Sequence, residues 1–237
     1  MQISHKKRIF GQNIFMELIN KSFTECTLTF MDKTFGMEQP LTVAPLTEWL
    51  ETPHEVTDFE RQQLLYFQQS LIFNVHNWNE YELDVHFIGP IFTLVNFSSF
   101  KSNHFSQRDF GGIVDNYMLS GKPDGMVASG RREPELPYFA FLQKESLVQE
   151  YKRELDPNGD PAGQALAAML VAQQMEEQIK PMYGCYVVGS TWKFIALDTD
   201  RKYAISPIYD ALSNDIFEIL RILKNLKAIV NERIAKK

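Results

Sequence analysis

Asp124, Glu150 and Lys152 are the residues of this chain whose types and spacing can do chemistry together. Glu150-Tyr151-Lys152 reads as a stretch of strand, and residues two apart on a strand share a face. A carboxylate and an ammonium then point the same way, with Tyr151 behind them. Asp124 follows the turn Gly121-Lys122-Pro123 at the start of another short strand. Two carboxylates meeting at one sheet end hold Mg²⁺ through oxygen. A cation so placed polarises a phosphodiester and activates a bound water. Lysine then positions that water or offsets charge on the phosphate. The chemistry expected is phosphodiester hydrolysis. Gln143-Lys144-Glu145, at the end of the apolar run Tyr138 to Leu142, is an alternative occupant of the same place. It would put glutamine where the acid belongs and glutamate where the lysine belongs, an inactive site. Glu150 and Lys152 keep the proper residue types.

Other chemistries find less support. Five histidines (His5, His54, His76, His86, His104) show no zinc spacing with Cys26 and Cys185. Gly121-Lys122 lacks the earlier glycine and following Ser/Thr of a phosphate loop, and no G-x-S-x-G elbow occurs. Arg131, Arg132, Lys122, Lys144 and Arg153 form a basic set diluted by Glu133, Glu135 and Glu145.

The elements that must position the trio follow from pattern. Thr57-Asp58-Phe59-Glu60 is a capping box opening a helix with Phe59, Leu64, Phe67 and Leu71 at helical spacing. Asn79 to Glu82 starts a second helix, which Pro90 kinks or ends; Ile91 to Phe97 suits a strand equally. Strands are expected at Ile113 to Leu119, Gly125 to Ala128 and Tyr138 to Gln143, the last prolonged by Leu147 to Tyr151. Asp160 and Pro161 suit the N-cap and first position of a helix to about Ile179. Its apolar residues spread over most sides, which means burial. Met182 to Val188 and Thr191 to Leu197 form a hairpin about Gly189-Ser190, Tyr203 to Ser206 adds a strand, and an amphipathic helix begins near Ser213. Short helices and turns are expected before residue 55. The sum is an α/β fold around one mixed sheet.

The order Pro123-Asp124, Glu150-Tyr151-Lys152 and Gly163-Gln164 resembles the PD-(D/E)XK nuclease superfamily, in which the signature lies on two adjacent strands followed by a helix. The stretch Pro181 to Phe194 is similar to the strand and turn after the motif helix in uncharacterised bacterial members. The resemblance covers roughly residues 76 to 230. It implies a restriction-endonuclease-like mixed sheet flanked by helices, over residues 76–237, with residues 1–75 a helical and irregular segment packed on it. It also implies Mg²⁺, with Mn²⁺ as a substitute. Asp124 and Glu150 would bind metal, joined by Glu82, or Glu80, from the helix ahead of the strands. Lys152 would assist the attacking water and Gln164 support the site. The implied partner is nucleic acid, DNA before RNA, and a duplex cutter would work as a possible homodimer. The alternative is a binding or scaffold protein that kept the fold without catalysis.

Bulk properties constrain this reading. With 44% hydrophobic and 13% aromatic residues in 237, the chain can build a sizeable core. A net charge of −6 counts against nucleic-acid binding, which draws its affinity from phosphate neutralisation. Two cysteines make no disulfide framework. No apolar run approaches the ~20 residues that span a bilayer, and Met1 to Phe10 carries Lys6, Lys7 and Arg8 without a following apolar stretch. The expectation is a cytoplasmic protein with no membrane partner.

Overall fold

A computed structural model describes residues 17–144 and 160–236. The chain begins with β1 (Ile19–Ser22), a 3₁₀ turn (Phe23–Glu25), α1 (Leu28–Phe35), α2 (Ala44–Glu51) and α3 (Asp58–Asn74). α4 (Glu80–Leu83) continues through a π turn (Asp84–Ile88) into α5 (Gly89–Val95). Five strands follow: β2 (Ser102–Ser106), β3 (Phe110–Val114), β4 (Tyr117–Gly121), β5 (Gly125–Ser129) and β6 (Pro137–Lys144). Then come α6 (Pro161–Gln174), β7 (Met182–Val188), β8 (Thr191–Leu197), β9 (Tyr203–Ile205), β10 (Tyr209–Asp210) and α7 (Asp215–Ala235).

The expected α/β architecture with a mixed sheet is present. Seven strands form the large sheet in the order β10-β8-β7-β6-β5-β2, with β9 also on β8. Among the described strands of this sheet only β6 and β7 pair in parallel, joined by the crossover through α6. A smaller sheet, β1-β4-β3, pairs β1 parallel to β4.

Period-two alternation divides the core into two faces. Phe139 and Phe141 of β6, Tyr183, Cys185 and Val187 of β7, and Trp192 and Phe194 of β8 join one cluster with α2, α3, the Glu80–Val95 helix and α7. Ala140, Leu142, Met182, Ile195 and Leu197 face the other way, against α1 and α6. α6 lies between the two sheets, so nearly every residue from Ala162 to Gln173 is buried, as its all-round apolar pattern predicts. The described part of residues 1–75 is spread over both faces: β1 extends the small sheet, α1 packs on α6, and α2 with α3 covers the first face.

Three elements differ from expectation. Ile113 to Leu119 is not one strand but the turn of the β3–β4 hairpin, because Asp115 sits at φ 53° and reverses the chain in two residues. Pro90 does not end its helix, which runs on to Val95. In the π turn the Gly89 N–H donates to Asp84 O, five residues back, and this widened turn precedes the proline, which has no N–H to give. α6 ends at Gln174, before Ile179, where Gln173 turns its side chain to donate to Lys180 O and Asp198 O.

No helix among the described residues is long and apolar enough to cross a membrane. Cys26 and Cys185 are buried free thiols.

Candidate active site

β6 ends at Lys144, beside the start of β5 and beneath the first turn of α4, and these three ends enclose a cleft of about 310 Å³. Ligands in open α/β sheets gather at such C-terminal strand ends. Among the described residues the cleft is lined by Asn79, Glu80, Tyr81, Asp84, Gln107, Asp124 and Gln143.

Asp124 is the best fixed of these. Its Oδ2 accepts the Gln143 N–H at 2.8 Å, and its carbonyl accepts the Gln107 N–H at 3.1 Å. Burial pushes its carboxyl up to about 6; the Gln143 N–H opposes the rise and the charge of Asp84 adds to it. Burial also raises Asp84. Both acids therefore give up their protons reluctantly, and each would be relieved by a cation.

Gln143 shares its face of β6 with Phe139 and Phe141 and so points toward the Glu80–Val95 helix. Its Nε2 donates to Glu80 O at 2.5 Å, tying strand to helix. The helix start is set by Asn79, whose Oδ1 accepts the Glu82 N–H at 2.9 Å. Glu82 returns the bond, its Oε2 accepting the Asn79 N–H at 2.9 Å. Glu80 and Asp84, four residues apart, lie on one side of the helix and reach the cleft.

The residues singled out by sequence thus fall in different places. Asp124 lies in the cleft, with Glu80. Glu82 caps the helix and is not among the lining residues. Gln164, half-buried in the first turn of α6, gives its N–H to Asp160 O and does not line the cleft either. Glu150 and Lys152 lie outside the described residues, as do Glu145 and the suggested strand Leu147 to Tyr151. Asp84 and Gln107 are site residues that the sequence reading missed. Asp84 had a signal, since Glu80 and Asp84 have the i,i+4 spacing of one helix face; Gln107, at φ 48° after β2, had none.

Chemically the cleft is acidic and rich in amides. Its described lining holds three carboxylic residues, three carboxamides and a tyrosine, and no Lys, Arg or His. Among the described residues no three His, Cys, Asp or Glu side chains are grouped to hold a metal ion. Magnesium does not require three; it is commonly held by one or two carboxylates, with waters and substrate phosphate completing the shell. The donor chemistry of Asp84, Asp124 and the carboxamides suits that hard cation.

Neither a scan of protein-family models nor a search of curated proteins returns a match to the chain.

Proposed function

We propose that the chain is a Mg²⁺-dependent nuclease that hydrolyses phosphodiester bonds, with DNA as substrate, at the cleft between β5, β6 and α4. The observation that carries the reading is Asp124, a partly buried acid with its carboxyl raised to about 6, just ahead of β5 and beside the C-terminal end of β6, the strand that leads into the parallel crossover. Its placement agrees with the resemblance to PD-(D/E)XK nucleases drawn from Pro123-Asp124.

Asp124 and Asp84 supply the carboxylate oxygens, and the Gln143 N–H holds Asp124 in place. The Gln143 carboxamide, anchored to Glu80 O, fixes the helix over the strand end. Bound Mg²⁺ supplies polarisation of the phosphodiester and a water of lowered pKa. The resemblance implies Glu150 as a further ligand and Lys152 as the residue that orients the attacking water; Gln164, away from the cleft lining, is left out of the reading. A cation at two carboxylates also lessens the repulsion between a chain of net charge −6 and a polyanion.

The test is calorimetric titration with Mg²⁺ and Mn²⁺, with and without DNA, beside a nicking assay. Wild type should bind and cut, Asp124→Ala should lose both, and Lys152→Ala should lose cutting while keeping the metal. Full cutting by Asp124→Ala overturns the assignment.

A second reading rests on Gln143 itself. It puts a carboxamide at the end of β6, beside Asp124, where a nuclease of this kind would carry an acid. On that reading the chain is a non-catalytic nuclease-fold binding protein, and wild type binds DNA without taking up Mg²⁺ or nicking.

A further inference from the structure

α3 is apolar on two sides. Leu64 and Leu71 are buried in the core, yet Phe59, Tyr66 and Phe73 stand 64%, 66% and 71% exposed on the outside. These three recur every seven residues, so they form one stripe along a helix that rises ~1.5 Å per residue. Leu65 and Ile72, 51% and 54% exposed, widen it. Three aromatics of ~200 Å² each present roughly 400 Å² at these exposures. With the two aliphatics and the glutamines between, the face approaches the ~800 Å² per partner of a stable interface.

Charge distinguishes this face from ordinary surface. From Gln62 to Asn79 there is no Asp, Glu, Lys or Arg, in a chain that is 23% charged. The charged residues just before are occupied by α7: Glu60 pairs with Lys224 at 2.8 Å, and Arg61 lies over Phe217 at 4.8 Å. Depletion of charge with enrichment in aromatics marks the centre of an interface. An uncharged face offers nothing to a strongly charged partner and does not repel itself. It also carries a ridge and its recess together, because a groove lined by Phe59, Phe67, Val85 and Pro90 runs along its flank. Self-complementarity of that kind is what an isologous two-fold contact requires.

We infer that α3 docks against α3 of a second copy of this chain, antiparallel, with the two-fold axis at Tyr66. Phe59 and Phe73 lie seven residues either side of Tyr66, so the axis brings Phe59 of each copy onto Phe73 of the other. The dimer stands whether or not the chain cuts DNA.

Sedimentation equilibrium of the full chain tests it, with Tyr66→Lys and Tyr66→Glu. Wild type should sediment at twice the 27.5 kDa of the chain. Each variant should fall to the single mass and still unfold in one cooperative transition, since Tyr66 is largely exposed in the monomer. Mixing the two variants should restore the double mass, because lysine then meets glutamate at the axis. Wild type at the single mass overturns the proposal and leaves the face to another protein. Either variant keeping the double mass places the contact elsewhere. Failure of the mixture to pair overturns the antiparallel arrangement about Tyr66.

Discussion

Asp124 and His104 respond to protons in opposite senses. Asp124 rises from 3.8 to about 6 on folding, chiefly by burial. The folded state therefore takes up this proton first; its contribution is full below pH 3.8 and is lost as pH rises through about 6. His104, stacked on Phe92 at 4.8 Å and with no partner on its Nε2 among the described residues, falls from 6.5 to about 4 by burial. Its contribution is full above pH 6.5 and is lost as pH falls through about 4. Between those limits the two slopes nearly cancel, and urea unfolding of wild type should vary little on their account. Asp124→Asn removes one slope. Stability should then fall steadily from pH 6.5 to 4, while at pH 8 the variant exceeds wild type by about 1–3 kcal/mol, partial exposure reducing the full linkage value. His104→Phe should show the reverse, gaining stability as the medium is acidified. A flat profile in both variants would mean that neither group is shifted.

At the scale of elements, α6 is placed by two residues at its start. Asp160 caps it, Oδ1 accepting the Ala162 and Gly163 N–H groups, while Oδ2 accepts the Leu28 N–H at 2.8 Å. Gly163 then allows the helix to approach the backbone of residues 26–28, where a Cβ would stand 2.4 Å from Cys26 O. Backbone cannot step aside as a side chain does, so Gly163→Ala should cost about 1–3 kcal/mol despite its better helix propensity, measured by chemical unfolding. Much of this element was legible in advance: the Asp160-Pro161 pair and the unbroken apolar composition gave both the start and the burial of α6. The β7–β8 hairpin was legible for the same reason, local turn chemistry between long β-rich runs. What escaped was non-local or polar. β2, Ser-Asn-His-Phe-Ser, carries almost no strand signal and exists because β5 pairs with it. Within the candidate site, the turn before β5 announced Asp124 and the end of the apolar run Tyr138 to Leu142 announced Gln143 as the alternative occupant; the position of α4 over the end of β6 was what no local pattern showed.

At the scale of the molecule, the first face of the large sheet is closed by chain segments far apart in sequence. Trp49 of α2, edge-on to Phe139, Tyr183 and Phe194, donates its Nε1–H to Ile222 O of α7 at 2.8 Å. Asn225 and Arg221 hold the end of α2 through the carbonyls of Trp49, Leu50 and Thr52. The second face is more local, α6 and its flanking strands supplying most of it. Trp49→Phe should therefore lower stability by about 1–3 kcal/mol, through the lost indole hydrogen bond and the packing space left by the smaller ring, while the Ile222 carbonyl keeps its helical partner. In refolding, the fluorescence change lost with that tryptophan should belong to the slowest phase. A fast phase carrying the Trp49 signal would contradict this order.

The bond between Trp49 and Ile222 spans 173 residues, and on the ribosome sequence distance becomes time. At roughly 5–20 residues per second, α2 waits about ten to thirty seconds for the helix that covers it. Trp49 lacks its partner throughout that interval and the aromatic face of β8 joins it only near the end, so the nascent chain is at its stickiest just before synthesis of α7 is complete.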